Sequence, residues 1–203
     1  MSAGARTLRI WRRRGVIAAA IPGTPDGVLH DTVWELEGAG TVGTGVLPKG
    51  HPYGGPHGKR IIWGEGIWPA EISPSFGDLS LASSQISPRA YIEPVSLVVY
   101  SPAGAITGYI SQPGRRGSLF KDLTSGLRRE ASKVLIEAGD RAWWLRAVKI
   151  FGVRVTRASG EPVLVSKRLH LVFMANADEL DISITLLTFT AIGSSFYAPI
   201  LGQ

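Results

Sequence analysis

Glycine and proline break this chain so often that long regular elements have little room in its first 117 residues, where most of its 25 Gly and 13 Pro lie. Interior glycine weakens a helix and proline removes a hydrogen-bond donor, so the pieces between them must be short. Thr7–Trp11, Val16–Ile21, Thr32–Glu37, Arg60–Trp63 and Val95–Tyr100 are rich in β-branched and aromatic residues and read as strands. Lys49–Lys59 and Ser73–Pro88 read as loops. The second of these is the best place for a weak internal boundary, near 73–88, in what is otherwise one β-rich domain over 1–203.

The pattern changes at Ser118. Leu119, Leu123, Leu127, Ala131, Val134, Leu135 and Ala138 recur at helical spacing, with Gly139 as a C′ residue. Asp140 then caps a second, shorter helix carrying Trp144, Leu145, Val148 and Phe151. Val153–Ala158 and Val163–Met174 read as strands joined by a hairpin turn at Ser159–Pro162. Asn176–Glu179 reads as a further turn, and Asp181–Thr190 alternates apolar and hydroxyl residues as a strand does. The expected fold is α+β: a mostly antiparallel β-sheet with one helical hairpin, about 118–152, packed on it.

Cysteine is absent, which removes disulfides, thiol catalysis and cysteine-ligated metals. No run approaches the ~20 apolar residues that span a bilayer as a helix, and Pro22, Gly23 and Pro25 cut short the apolar stretch after Arg12–Arg14. The expected location is cytoplasmic, peripheral at a membrane or in a virion, and neither secreted nor transmembrane.

No motif builds a catalytic centre. Gly38-Ala39-Gly40-Thr41-Val42-Gly43 spells GxGxxG, but Thr44–Gly50 is a poor helix, and a dinucleotide pyrophosphate needs a helix start there. Gly55–Arg60 has the Gly-Lys of a phosphate loop, yet Tyr53 stands at the first glycine position and Arg60 where Ser or Thr reaches magnesium. His30, His51, His57 and His170 form no metal-ligand spacing. Neither a cofactor nor a metal is expected.

Positive charge is the stronger signal. The net charge is +6, and arginine dominates the basic residues. Arginine makes bidentate contacts with phosphate and stacks on flat rings. Arg12, Arg13 and Arg14 adjoin Trp11, and Lys59 and Arg60 close a glycine-rich loop. Gln112–Ser118 carries Arg115 and Arg116 into the expected helix, which bears Lys121, Arg128 and Arg129. These ten cations are the candidate site for anionic lipid or nucleic acid. In a helix Trp143 and Trp144 cannot share a face, so one packs inside and the other reaches a partner. Trp11, Trp143 and Trp144 are the candidate interface residues.

The order of Val95–Tyr100, the turn Ser101–Gly104, the helix from Ser118, the stretch Gly139–Trp144 and the strands from Val153 resembles the core of negative-strand RNA virus matrix proteins, especially those of rhabdoviruses. The resemblance covers Glu93 to Phe173 and implies a non-enzymatic structural protein of matrix or coat type. Such a protein forms homo-oligomers and binds an anionic membrane or nucleic acid. Two alternatives stay open: an enzyme or small-ligand binder whose site is assembled from distant residues, and a ribonucleoprotein subunit.

Overall fold

The computed structural model describes residues 8–13, 21–37, 40–54, 58–73, 95–111, 133–148, 152–167 and 170–188. Among them twelve strands run in chain order: β1 (Leu8–Arg13), β2 (Leu29–Leu36), β3 (Gly40–Leu47), β4 (Lys59–Gly64), β5 (Ala70–Ser73), β6 (Val95–Ser101), β7 (Gly104–Ser111), β8 (Lys133–Ala138), β9 (Arg141–Val148), β10 (Gly152–Arg157), β11 (Pro162–Lys167) and β12 (His170–Phe173). Each pairs antiparallel with its neighbours in sequence, and β1 pairs with β12 to close a barrel. Closure leaves no strand edge exposed to another chain.

The connections divide by end. At one end lie the short links between β2 and β3, β4 and β5, β6 and β7, β8 and β9, and β10 and β11. The long segments 14–28, 48–58, 74–94 and 112–132 all leave from the other end. Segment 74–94 joins β5 to β6, which pair directly, so the strands on either side of 73–88 belong to one barrel.

Among the described residues a single helix, α1 (179–188), follows β12. From Leu180 to Thr188 every residue is buried, including Asp181, Ser183, Thr185 and Thr188. Leu180, Ile182, Ile184, Leu186 and Leu187 share one core with inward residues of the strands, among them Leu36, Ile62, Ile72, Leu97, Ile136, Trp143, Leu145, Val155 and Phe173. The helix therefore fills the barrel. A helix buried on all sides shows no polar face, so its sequence lacks the usual amphipathic period.

The sheet-dominated α+β class holds, but the helix lies elsewhere than the sequence predicts. Residues 133–148 of the expected hairpin are β8 and β9. Val134, Ile136 and Ala138 point inward in alternation, as do Trp143 and Leu145. The leucine and valine spacing fits both periods over so short a run. Gly139-Asp140, read as a helix stop and a helix start, is the hairpin turn between them, with Gly139 at φ +59°. Residues 112–132 lie outside the described residues, as do Val16–Ala20 of another expected strand. Conversely, the expected strand from Asp181 is α1. The overlooked signal is Asp178-Glu179-Leu180-Asp181, a capping box: Asp178 Oδ1 accepts the Asp181 N–H at 2.9 Å and Asp181 Oδ2 accepts the Asp178 N–H at 3.0 Å.

A candidate anion-binding face on the outside of the barrel

Two polar features stand out, and only one is open to a partner. The closed one lies at the mouth where α1 enters. The fully buried carboxylate of Asp181 accepts hydrogen bonds from Trp143 Nε1 at 2.7 Å, from Arg157 Nε at 3.3 Å and from Arg157 Nη2. Arg157 also reaches Glu161 at 2.8 Å and the Asn176 carbonyl at 2.9 Å, while Arg141 pairs with Asp178. Burial raises the Asp178 carboxyl, but hydrogen bonds from Arg141 and the Asp181 N–H outweigh it and hold the group below its ordinary range. The Arg157 guanidinium is pushed up, chiefly by its bond to Asp181. Each group here has its partner, so the cluster reads as the anchor of the helix. Ser183 adds a second tie: its hydroxyl accepts the Trp68 N–H at 2.8 Å and donates to the Glu179 carbonyl at 2.7 Å.

The open feature is on the outer face. Strand pairing sets Lys133 of β8 opposite Arg146 of β9, and Arg146 opposite Arg154 of β10. The same row passes through Val165 of β11 and Val172 of β12 to Arg9 of β1. Strand alternation places this row outside, because the intervening residues Val134, Leu145, Val153, Val155 and Leu164 are in the core. Arg146 and Arg154 are exposed, and neither has an acidic partner among the described residues. The Arg146 guanidinium stands 5.9 Å from the centroid of the half-buried Trp144 ring. Lys167 occupies the next outward position on β11, opposite His170, which in turn faces Trp11 of β1. The five contiguous strands β9, β10, β11, β12 and β1 contain no Asp or Glu at all.

Like charges placed directly opposite across a strand pair repel. A folded protein keeps such an arrangement at a loss in stability, and an anion lying over the row removes it. That is the chemistry the face offers: several phosphate or carboxylate groups bound by arginines, with indole beside them.

The sequence-derived site is only partly related to this face. Arg115, Arg116, Lys121, Arg128, Arg129 and Arg14 lie outside the described residues. Arg12 and Arg13 fall on opposite faces of β1: Arg12 pairs with Trp34, a core residue, and Arg13 with the outer Val33. The alternation of a strand separates what a loop would have clustered. Lys59 is ion-paired with Glu71 at 2.7 Å. Arg60 is half-buried on the lumen side of β4, opposite Ile72, and is no exposed cation. Trp143 is buried completely and bonded to Asp181, so it cannot serve an interface; Trp144 takes the outer face, and Trp11 takes an outer-face register position. One of the tandem tryptophans does pack inside, by strand alternation and not by helical geometry.

Arg146 and Arg154 escaped the sequence reading. A signal for them exists: between Arg141 and Ala177 seven residues are Lys or Arg, and Glu161 alone is acidic.

Among the described residues no three His, Cys, Asp or Glu side chains gather as a metal site. No described helix is long and apolar enough to cross a membrane. Comparison with known proteins finds no matching family model, no matching curated protein and no matching solved structure.

Proposed function

We propose that this protein is a non-catalytic binding scaffold, of the kind found in matrix and coat assemblies, that attaches to an anionic partner through the outer face of β8–β10. The observation that carries this reading is the pair Arg146 and Arg154, exposed, directly opposite each other on acid-free strands and without an acidic partner among the described residues. Its net charge of +6 draws the whole chain toward polyanions. Self-association, where it occurs, uses outer faces and not strand addition, because the barrel has no free edge.

The test is binding of the full chain to heparin, to phosphatidylserine-containing vesicles and to single-stranded RNA, each at low and high salt. The expected result is salt-weakened binding to one or more of these, lost in the double variant Arg146→Glu/Arg154→Glu, whose melting temperature reports that it folds. Binding to none of them overturns the proposal. Binding that the double variant retains in full overturns the assignment of the face.

A further inference from the structure

The flank that carries the arginines changes character along its strands. Register sorts its outward residues into three rows. Nearest the end where α1 enters, Glu137 of β8 stands between Tyr109 of β7 and Ala142 of β9. The next row sets Leu135 of β8 opposite Trp144 of β9, with Thr156 of β10 on the far side of Trp144. The third row holds Arg146 opposite Arg154. Successive outward residues of a strand are about 7 Å apart, so the acidic and basic rows lie about 14 Å apart, with the apolar row midway.

The side chains are accessible in this order. Tyr109, Glu137, Arg146 and Arg154 are exposed, and Leu135 and Trp144 are half-buried. Glu137 has no cationic partner among the described residues, just as Arg146 and Arg154 have no acidic one. A carboxylate, an apolar centre and a pair of cations therefore follow one another along the flank, and no ion pair within the chain joins the two ends.

Such a pattern is complementary to itself when reversed. A two-fold axis in the contact plane, running across β8 and β9 at the Leu135–Trp144 pair, turns a second copy so that its strands run the opposite way. The basic row of each copy then meets the acidic row of the other, and the two Trp144–Leu135 pairs meet at the centre. Every contact is made twice, as an isologous interface requires. Tryptophan is favoured in the core of interfaces, and charges around it fix orientation and register. The unreversed arrangement sets arginine against arginine, a juxtaposition that costs several kcal/mol. Closure of the barrel removes strand addition as a route to association, which leaves the outer face.

We infer that the anion taken by this face is a carboxylate of a second copy of the chain. Two barrels dock flank to flank about a two-fold axis, with Arg146 of each on Glu137 of the partner subunit and Trp144 at the centre. The inference rests on the reading that the arginine pair binds anions, and it names the partner.

Sedimentation velocity of the full chain over a wide range of concentration, at low and high salt, reads the dimer. Heparin binding is measured alongside. The variants are Glu137→Arg, Arg146→Glu, the swap Glu137→Arg/Arg146→Glu, and Trp144→Ala. The expected result is a dimer weakened by salt. Either single reversal raises its dissociation constant about tenfold or more, because each creates two like-charge contacts, and the swap restores it. Trp144→Ala weakens the dimer about tenfold as well. A monomer at every concentration that still binds heparin through its arginines overturns the inference and leaves the anion-binding face standing. A dimer that ignores the single reversals, or that the swap fails to restore, overturns the two-fold contact. A restored dimer without heparin binding supports the inference and overturns the wider reading that the face takes foreign polyanions. Neither dimer nor heparin binding overturns both.

Discussion

The two sides of the barrel treat their outer surfaces in opposite ways. Over β2, β3 and β4 the chain covers itself. Ile21 and Val28, from the segment before β2, pack with Val33, Leu47, Ile61 and Trp63 into a second small core outside the sheet. Trp63 donates to Thr24 Oγ1 at 3.1 Å, and His51 meets the Asp26 carbonyl at 3.0 Å to tie the segment down. Its indole lies so close over Gly43 that a Cβ there would meet ring carbons at 2.5 Å. The neighbouring charges are matched, with Lys59 on Glu71. Over β8, β9 and β10 no described segment covers the sheet: Trp144 is half-exposed, and Arg146 and Arg154 have no counter-ion among the described residues. The same antiparallel scaffold thus buries one flank and leaves the other with exposed arginines that have no counter-ion among the described residues. The covered flank matches Lys59 to Glu71, whereas Arg146 and Arg154 on the bare flank meet no carboxylate among the described residues, and the proposed function rests on that difference.

The contrast can be broken by exchanging equivalent residues. The largest effect is expected at the tryptophans. Trp63→Ala should lower stability by about 3 kcal/mol, since it empties a packed site. Trp144→Ala, on the open flank, should lose less than about 1 kcal/mol while weakening anion binding. Urea unfolding of both variants measures this, and equal losses would erase the distinction between the flanks. Next comes Gly43→Ala, where displacing the indole should remove about 2 kcal/mol by overpacking. A melting temperature unchanged by this substitution would mean that Trp63 is free to move. The smallest effect has the opposite sign. Arg154→Glu places a carboxylate opposite Arg146 and should stabilise the free protein by about 0.5 kcal/mol while reducing its affinity for polyanions. A variant that is both less stable and equally able to bind would show that the arginine pair is ordinary surface.

Several strands are readable from sequence because local composition decides them. β1, β2, β4, β6 and β10 overlap segments bounded by Gly or Pro and rich in β-branched residues. β3 was hidden because its glycines look like a turn, yet Gly43 and Gly45 are required inside a strand by Trp63 and by the Leu29 carbonyl. β8 and β9 were hidden because Val134, Leu135 and Ala138 satisfy two periods at once, and Gly139-Asp140 serves a hairpin as well as a helix boundary. The lumen helix was hidden because complete burial removes the one-sided pattern by which helices are found. For the site, the exposure of Arg154 was legible in the alternation Val153-Arg154-Val155, a segment read as a strand. Its apposition to Arg146 was not, because register is a property of pairing between distant segments and no local composition encodes it.

The position of α1 in the chain has a consequence for biosynthesis. A ribosome delivers the strands first and the element that fills them last. Until roughly residue 188 has emerged, the inward faces of the twelve described strands lack their full helix to pack on, and β1 waits for β12 before the sheet can close. The nascent chain therefore holds sheet whose neighbouring strands can pair as they emerge but whose apolar inner face is uncovered, a state prone to aggregate. Completion of the core waits on α1, the last described segment.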